Sequence, residues 1–574
     1  TVYFLEPGLH VGSMYGLTDD AFVGGRANGV GTTLDGNYAR DWAIDGYDDP
    51  GYTATNVTLK YLTVQHYNPP EDHNALNQGG DPNFNVYNST IIQNAPGGGL
   101  FLATDSTVKN TCMTQNGQYG FQSAETIKKD SLTQGPYNLH IENNEISYND
   151  TCNLAGPLNN AALGWVNYNP VPPQYYDNVH CDGLPGDGNQ GGFKLWQTNG
   201  VTVKNNWIHH NWGTGIWADT NNANLTIDSN TITYNDGPAI SIETTYNFSI
   251  TNNYMEQNDI AEALTNTGFP SPAVWISESG SDTQFGGIPA CSEPSCASQP
   301  SYPTQSVVQN NTMVDNGGGV FLWQNSNRYC GAPIDGTCDL IMGGEAAGTV
   351  TMAHCNANLP SVSLNTNTYV GTTGGTPSLD WIDACYWKTE NVDISNNEID
   401  LNPSHVLGCT PAIWEACGYD GVYSEYGGAP FSGTQPWMIP TAITFWQNNH
   451  WHNNVYHGPT LFNAYNQGSG DNPLTWAQWT GPVANGDKCS NAGERQSGYC
   501  TGPFGQDAGS TYDATPLQGT KVGDFNNDSA VNITDLSMLL TAYNTSNSTI
   551  LTNLNRTGKV DITCLSIFLT HWGT

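Results

Sequence analysis

Gly191–Asp259 decides the fold. It reads GGFKLWQTNGVTVKNNWIHHNW, then GTGIWADTNNANLTIDSNTITYND, then GPAISIETTYNFSITNNYMEQND. Three phrases align: VTVKNNWIHHN, LTIDSNTITYN and FSITNNYMEQN, with Asn206, Asn230 and Asn253 at the same point of each. A period in the low twenties, built of short alternating strands and Asn/Gly corners, predicts a solenoid of stacked coils. In such strands one row of side chains faces the core and the next faces outward. Phe193, Leu195, Ile216, Ala218, Ile240 and Ile242 are therefore expected inside.

The same phrase recurs on both sides of this stretch. It is found at Asn56–Tyr67, Asn85–Glu125 and Tyr137–Asp150 before it, and at Ser306–Asn327, Asn391–Pro403 and Ile443–Gly458 after it. Insertions at Asn159–Asp187, Ser279–Pro303 and Tyr329–Ala384 read as long loops. The recurrent I-x-x-N-x-I/M-x-x-N phrase resembles the right-handed parallel β-helix (pectate-lyase-like) superfamily over residues 1–460. The opening TVYFLEPGLHVG is similar to that superfamily's entry coil, without the cap that precedes it there. We expect an exposed sheet edge at this first coil, and edges recruit other chains unless blocked. Residues 461–518 lose the repeat and read as a cap and linker.

The final segment, 519–574, has a different grammar. GDFNNDSAVNITDLSMLLTAY places Asp524, Asn526, Asp528, Asn532 and Asp535 at loop positions 1, 3, 5, 9 and 12, with the Ala530 carbonyl at 7. That is the oxygen spacing of an EF-hand-type Ca²⁺ loop. A degraded copy follows at Asn553–Gly573, so the tail resembles a dockerin. The expected fold class is thus all-β, a parallel β-helix solenoid with a small α-helical Ca²⁺-binding dockerin-like module. The dockerin resemblance implies a cohesin-like partner for that module.

Composition narrows the partners. Of 574 residues, 52 are Asp or Glu and 15 Lys or Arg, for a net charge of −37. This acidity disfavours nucleic acid, anionic membranes and, without Ca²⁺, polyanionic sugars. It favours neutral glycans, divalent cations or proteins. No apolar run approaches the ~20 residues of a membrane span. Fourteen cysteines include the close pairs Cys291/Cys296, Cys330/Cys338, Cys409/Cys417 and Cys489/Cys500. None has zinc-ligand spacing, so disulfides in a secreted, extracellular protein are expected, with the pairing open. The chain opens at Thr1 without a signal peptide, as a processed form would.

The outward positions of the central coils stack into two columns. One holds Lys194, Trp217, Ser241 and Trp275; the other holds Trp196, Asp219, Glu243 and Ser277. Phe321 and Trp323 continue them, and Phe101 fits the first column at the other end. Aromatic rings beside a carboxylate pair suit a carbohydrate groove, with Asp219 and Glu243 as acid and base or nucleophile. The same stacking also arises when an acidic sheet simply decorates its surface. The pectin hydrolases of this fold carry NTD, DD, GHG and RIK phrases together, and no such set is present. Arg26, Arg40, Arg328, Arg495 and Arg556 avoid the coil faces, which removes the Arg base of the pectate lyases. His209–His210 and His450–His452 read as corner residues.

N-x-S/T sites at Asn56, Asn88, Asn149, Asn224, Asn247 and Asn310 are candidate glycan acceptors. The tail adds Asn527, Asn532, Asn544, Asn547 and Asn555. Two functions follow. One is a non-catalytic extracellular scaffold whose copies stack head-to-tail into filaments and carry or bind glycans. The other is a dockerin-bearing glycoside hydrolase or polysaccharide lyase. The missing catalytic phrases tilt the sequence toward the first.

Overall fold

The computed structural model describes residues 1–46, 53–124, 136–151, 191–219, 222–259, 272–281, 306–325, 389–403, 417–425, 448–464, 473–481, 504–517 and 530–543, with 406, 409, 443, 565, 568 and 569. Each coil contributes one strand to each of three sheets. Among the described residues the first sheet, opening with Val2–Leu5, and the second, opening with Met14–Gly16, hold twelve strands each, and the third, opening with Gly8–Val11, holds fourteen, stacked in sequence order. Successive coils pair in parallel; the antiparallel exception among the described strands is Arg26–Ala27 on Val30–Asp35. The described coils form a parallel β-helix.

The corner chemistry explains why the sequence writes Asn-Asn so often. At each such corner the first residue turns the chain with positive φ, as at Asn205 (55°), Asn252 (57°), Asn310 (56°), Asn396 (55°) and Asn453 (54°). Asn tolerates that region better than most L-residues. The second Asn turns inward. Its Nδ2 donates to Oδ1 of the Asn one coil on, in a file running Asn144, Asn206, Asn230, Asn253, Asn311, Asn397, Asn454. A second file runs Asn94, Asn116, Asn149, Asn211, Asn235, Asn258, Asn316. These amides sit in the dry interior, where each made bond is worth about 1 kcal/mol and an orphan costs about 1–3.

Between the files the core is apolar. Phe193, Ile216, Ile240, Val274 and Val320 form one inward stack, and Leu195, Ala218, Ile242, Ile276 and Leu322 another, all fully buried. At the N-terminal end Val2, Phe4, Leu9, Val11 and Tyr15 are exposed. At the other end the sheets run past residue 460, further than the sequence suggested. Leu461–Asn463 joins the second sheet and Thr511–Asp513 the third. Helix α1 (Trp476–Thr480) closes this end, with Trp476 and Trp479 packed on Phe462.

In the tail, helix α2 (Ile533–Ala542) is capped by Asn532, and Val531, Leu539 and Phe568 form a small core of their own. Asp524, Asn526 and Asp528, the three named insertions over most of their length, and most of 553–573 lie outside the described residues. Among the described residues no helix is long and apolar enough to cross a membrane.

Candidate functional site

Both expected columns on the second sheet are present in register. Phe101 pairs with Gln122, Gln122 with Lys194, Lys194 with Trp217, Trp217 with Ser241, Ser241 with Trp275, and Trp275 with Phe321. Alongside, Trp196 pairs with Asp219, Glu243 with Ser277, and Ser277 with Trp323. One further step of the Ala218–Ile242 register sets Asp219 beside Glu243.

The columns also speak to each other. Lys194 Nζ lies 2.9 Å from Asp219 Oδ2 and 4.0 Å from the centre of the Trp217 ring. Its ammonium is thus shared between a carboxylate and an aromatic face, with only 15% of the side chain exposed and 14% of that of Asp219. The Asp219 carboxylate, held by this ammonium, presents acceptor oxygens beside the Trp217 ring. Ser241 Oγ donates to Glu243 Oε1 at 3.4 Å, which aims that carboxylate. Trp196, Trp217, Glu243 and Trp275 are half-buried.

Two expected contacts do not hold. Phe321 is 0% exposed and Trp323 8%; they form a satellite core with Tyr419, so no free ring face of Phe321 reaches a ligand. Burial likewise removes Asn149 from the glycan acceptors of the folded chain. It is a link in an interior file, its Nδ2 donating to Met113 O and Asn211 Oδ1. Asn224 and Asn247 are buried as well, and Asn247 donates to Asn224. Asn56, Asn88 and Asn310 are exposed.

Some groups were misread or missed. His209, His450 and His452 lie on strands, not corners. His209 is buried against Trp207 (ring centres 3.7 Å apart), its Nε2 3.4 Å from Glu145 Oε1 and its Nδ1 2.8 Å from His210 Nδ1. Burial pushes the His209 titration down and that of Glu145 up, but hydrogen bonds from His209 and Ser147 hold Glu145 below its usual range. Burial, then Glu145 itself, pushes the free Cys112 thiol well up, making it a poor nucleophile. The register pairs Glu145 with Trp207 and Ser147 with His209, and it was the signal for this cluster. Cys409 and Cys417 form a disulfide; the other close pairs lie outside the described residues.

Of the six loop positions in the tail, three are described. The Asp535 carboxylate accepts the Asn532 N–H (2.9 Å), Asn532 Oδ1 accepts the Thr534 N–H (2.8 Å), and Asn532 Nδ2 donates to the Ala530 carbonyl (3.1 Å). These hard oxygen donors gather at the start of α2 and fit Ca²⁺ chemically. Among the described residues no set of three or more His, Cys, Asp or Glu side chains is placed to hold a metal.

The family model described as "Right handed beta helix region" matches residues 177–287. No curated protein matches the sequence. Among solved structures, the A-module of an Azotobacter vinelandii mannuronan C-5 epimerase is similar at 12% identity, covering 56% of this chain and 82% of that one, with a TM-score of 0.35. A PL6 family alginate lyase is similar at 10%, covering 94% and 60%, also at 0.35. The Dettilon tailspike protein is similar at 11%, covering 56% and 59%, at 0.27. At such identities the chemistry of the second sheet has to be read from its own side chains. Over the described residues that the family model matches, strand register and model agree on a right-handed parallel β-helix fold.

Proposed function

We propose that the chain is an extracellular glycan-binding β-helix whose second sheet holds a polysaccharide across the Trp196, Trp217 and Trp275 rings, with Asp219 and Glu243 accepting hydroxyl hydrogen bonds. The observation that carries this is Lys194, held between Asp219 and Trp217: an ordered, half-hidden carboxylate beside an aromatic face. Sugars bind such surfaces through apolar C–H faces and hydroxyl donors together. Affinity electrophoresis over neutral and acidic polysaccharides tests it. Trp217→Ala should weaken binding at least about tenfold, the loss of one well-packed aromatic contact. Retardation by no polymer would end the reading.

Cleavage is a second reading, favoured by the adjacency of Asp219 and Glu243. Neighbouring coils are ~4.8 Å apart, which is close to the carboxylate spacing of a retaining glycosidase. A reducing-sugar and 235-nm screen that detects turnover in the parent but not in Glu243→Gln would establish it. End-to-end self-association is a third reading, favoured by the exposed apolar side chains of the first coil. Electron micrographs showing only monomers would exclude it.

For the tail we propose a Ca²⁺-loaded docking module with ligands Asp524, Asn526, Asp528, Ala530, Asn532 and Asp535 and a cohesin-like partner. Chelation should lower the melting temperature of this module, and Asp535→Ala should remove that dependence. The disulfide between Cys409 and Cys417 supports an extracellular setting.

A further inference from the structure

We propose that Asp219 sets the class of glycan: by neutralising Lys194 it excludes uronate polymers and leaves a neutral polysaccharide as the ligand. This rests on the glycan-binding reading and adds the sign of the charge to it.

Polymers of acidic sugars are gripped by cations whose charge is available to the sugar carboxylate. Lys194 is the one cation in the two described columns, and its charge is already spent. Asp219 Oδ2 lies 2.9 Å from Nζ, and the Trp217 ring covers the ammonium at 4.0 Å. Only 15% of the side chain is exposed, so a sugar carboxylate could reach it only by displacing Asp219. Glu243 stands beside Asp219 and adds a second negative charge to the same face. The local balance of Lys194, Asp219 and Glu243 is therefore one net negative charge, within a chain of net charge −37.

A uronate placed over this face meets like charge at about one coil spacing, which costs affinity on the order of tenfold per carboxylate. A neutral sugar meets none of that penalty. Its hydroxyls donate to Asp219 and Glu243, and its C–H faces meet Trp196, Trp217 and Trp275. Asp219 thus acts twice, as an acceptor for neutral sugars and as the group that silences Lys194.

The test uses the full chain in affinity gels containing galactomannan, mixed-linkage β-glucan, polygalacturonate or alginate, with and without Ca²⁺. The parent protein should be retarded by at least one neutral polymer, and by neither uronate polymer when Ca²⁺ is absent. Asp219→Asn should release Lys194 and raise affinity for polygalacturonate at least tenfold. Asp219→Asn combined with Lys194→Met should cancel that gain. Binding of the parent to its neutral polymer should not vary with ionic strength, a measurement that requires no variant to fold.

Several results would overturn the inference: equal retardation by polygalacturonate and the neutral polymers without Ca²⁺, an unchanged preference in folded Asp219→Asn, or neutral-polymer binding that fades with salt. Each leaves glycan binding itself intact. Retardation by no polymer at all would instead remove the reading on which the inference stands.

Discussion

On the first sheet, Lys109 reaches Glu142 and Lys204 reaches Asp228, both at 2.7 Å and each directly opposite its partner in register. On the second sheet, Lys194 ignores its opposite number's backbone position, lies over the Trp217 ring and reaches diagonally to Asp219. The same residue type serves two purposes. The first-sheet lysines are 39% and 46% exposed, and their carboxylates are satisfied by immediate neighbours. Such pairs are worth roughly 0.2–1 kcal/mol and present no special surface. The second-sheet lysine, at 15%, is well under half as exposed as either and stands among tryptophans. A solenoid repeats its backbone, so the difference between faces comes from side chains alone; function should follow the face where charge is ordered and partly dry.

The largest effect we expect would strike the scaffold beneath both faces. Asn235→Ala removes an interior link at the corner that feeds the second sheet. It takes the Asn235 Oδ1 acceptor from both the Asn211 N–H and Nδ2, leaving the N–H orphaned while Nδ2 keeps the Ile146 carbonyl. The loss should be about 2–4 kcal/mol, summed from two bonds and the orphaned N–H. Denaturant unfolding would measure it; a loss near zero would mean the amide files are ornamental and the comparison between faces lacks a common frame.

A pH titration separates carboxylates on the surface from those within. Burial raises Asp228, but hydrogen bonds from Lys204 and Asn252 more than offset it and leave it below its usual range. Its contribution to stability is present above the unfolded value near 3.8 and is lost as pH falls through the lowered folded value. Asp420 is opposite in sign. Burial, then the charge of Asp507, pushes it well up, although it accepts from Trp451 Nε1 (3.0 Å) and the Val320 N–H (3.2 Å). Asp507 is raised by burial too, despite accepting from Asn454, Ser510, Trp479 and Tyr456. Stability from this interior pair is full below the unfolded value and is lost as pH rises through the raised folded values. Asp420→Asn should therefore flatten the alkaline side of the stability profile, by roughly 1–3 kcal/mol. An identical alkaline slope in the parent and Asp420→Asn would refute this account.

These elements also mark how far the sequence can be read. The two columns were legible because strand alternation has period two and Asn-Asn pairs date each coil. Lys194 and Asp219 could be placed in adjacent columns, but their diagonal pairing depends on side-chain reach, which periodicity does not encode. Phe321 and Trp323 have the pattern of outward residues. They are buried because Tyr419, nearly a hundred positions along, packs against them. Asp420 enters the core where the register slips between Gly318 and Phe321; a Cβ on Gly319 would lie 2.2 Å from Asp420 Oδ2, so the slip needs that glycine. Asp507 comes from the closing segment beyond the repeat. Each miss is a long-range contact that breaks the local period.

The smallest expected effect is the sharpest test of the contrast between faces. Lys204→Met removes the ammonium that pairs with Asp228, but Asp228 keeps the Thr251 hydroxyl (3.0 Å) and the Asn252 amide (2.8 Å) as donors. Its side chain is 15% exposed, much like that of Asp219, so these two retained donors rather than open solvent hold the charge. Destabilisation should stay under about 0.5 kcal/mol, and polysaccharide binding should not change. Lys194→Met, by contrast, strips Asp219 of its counter-ion in a half-hidden site and uncovers one face of Trp217, so it should alter both stability and binding. Measured side by side by thermal melting and affinity electrophoresis, the two variants differ only in which sheet loses its lysine. Equal responses would mean that the faces are interchangeable and that the second sheet holds no site.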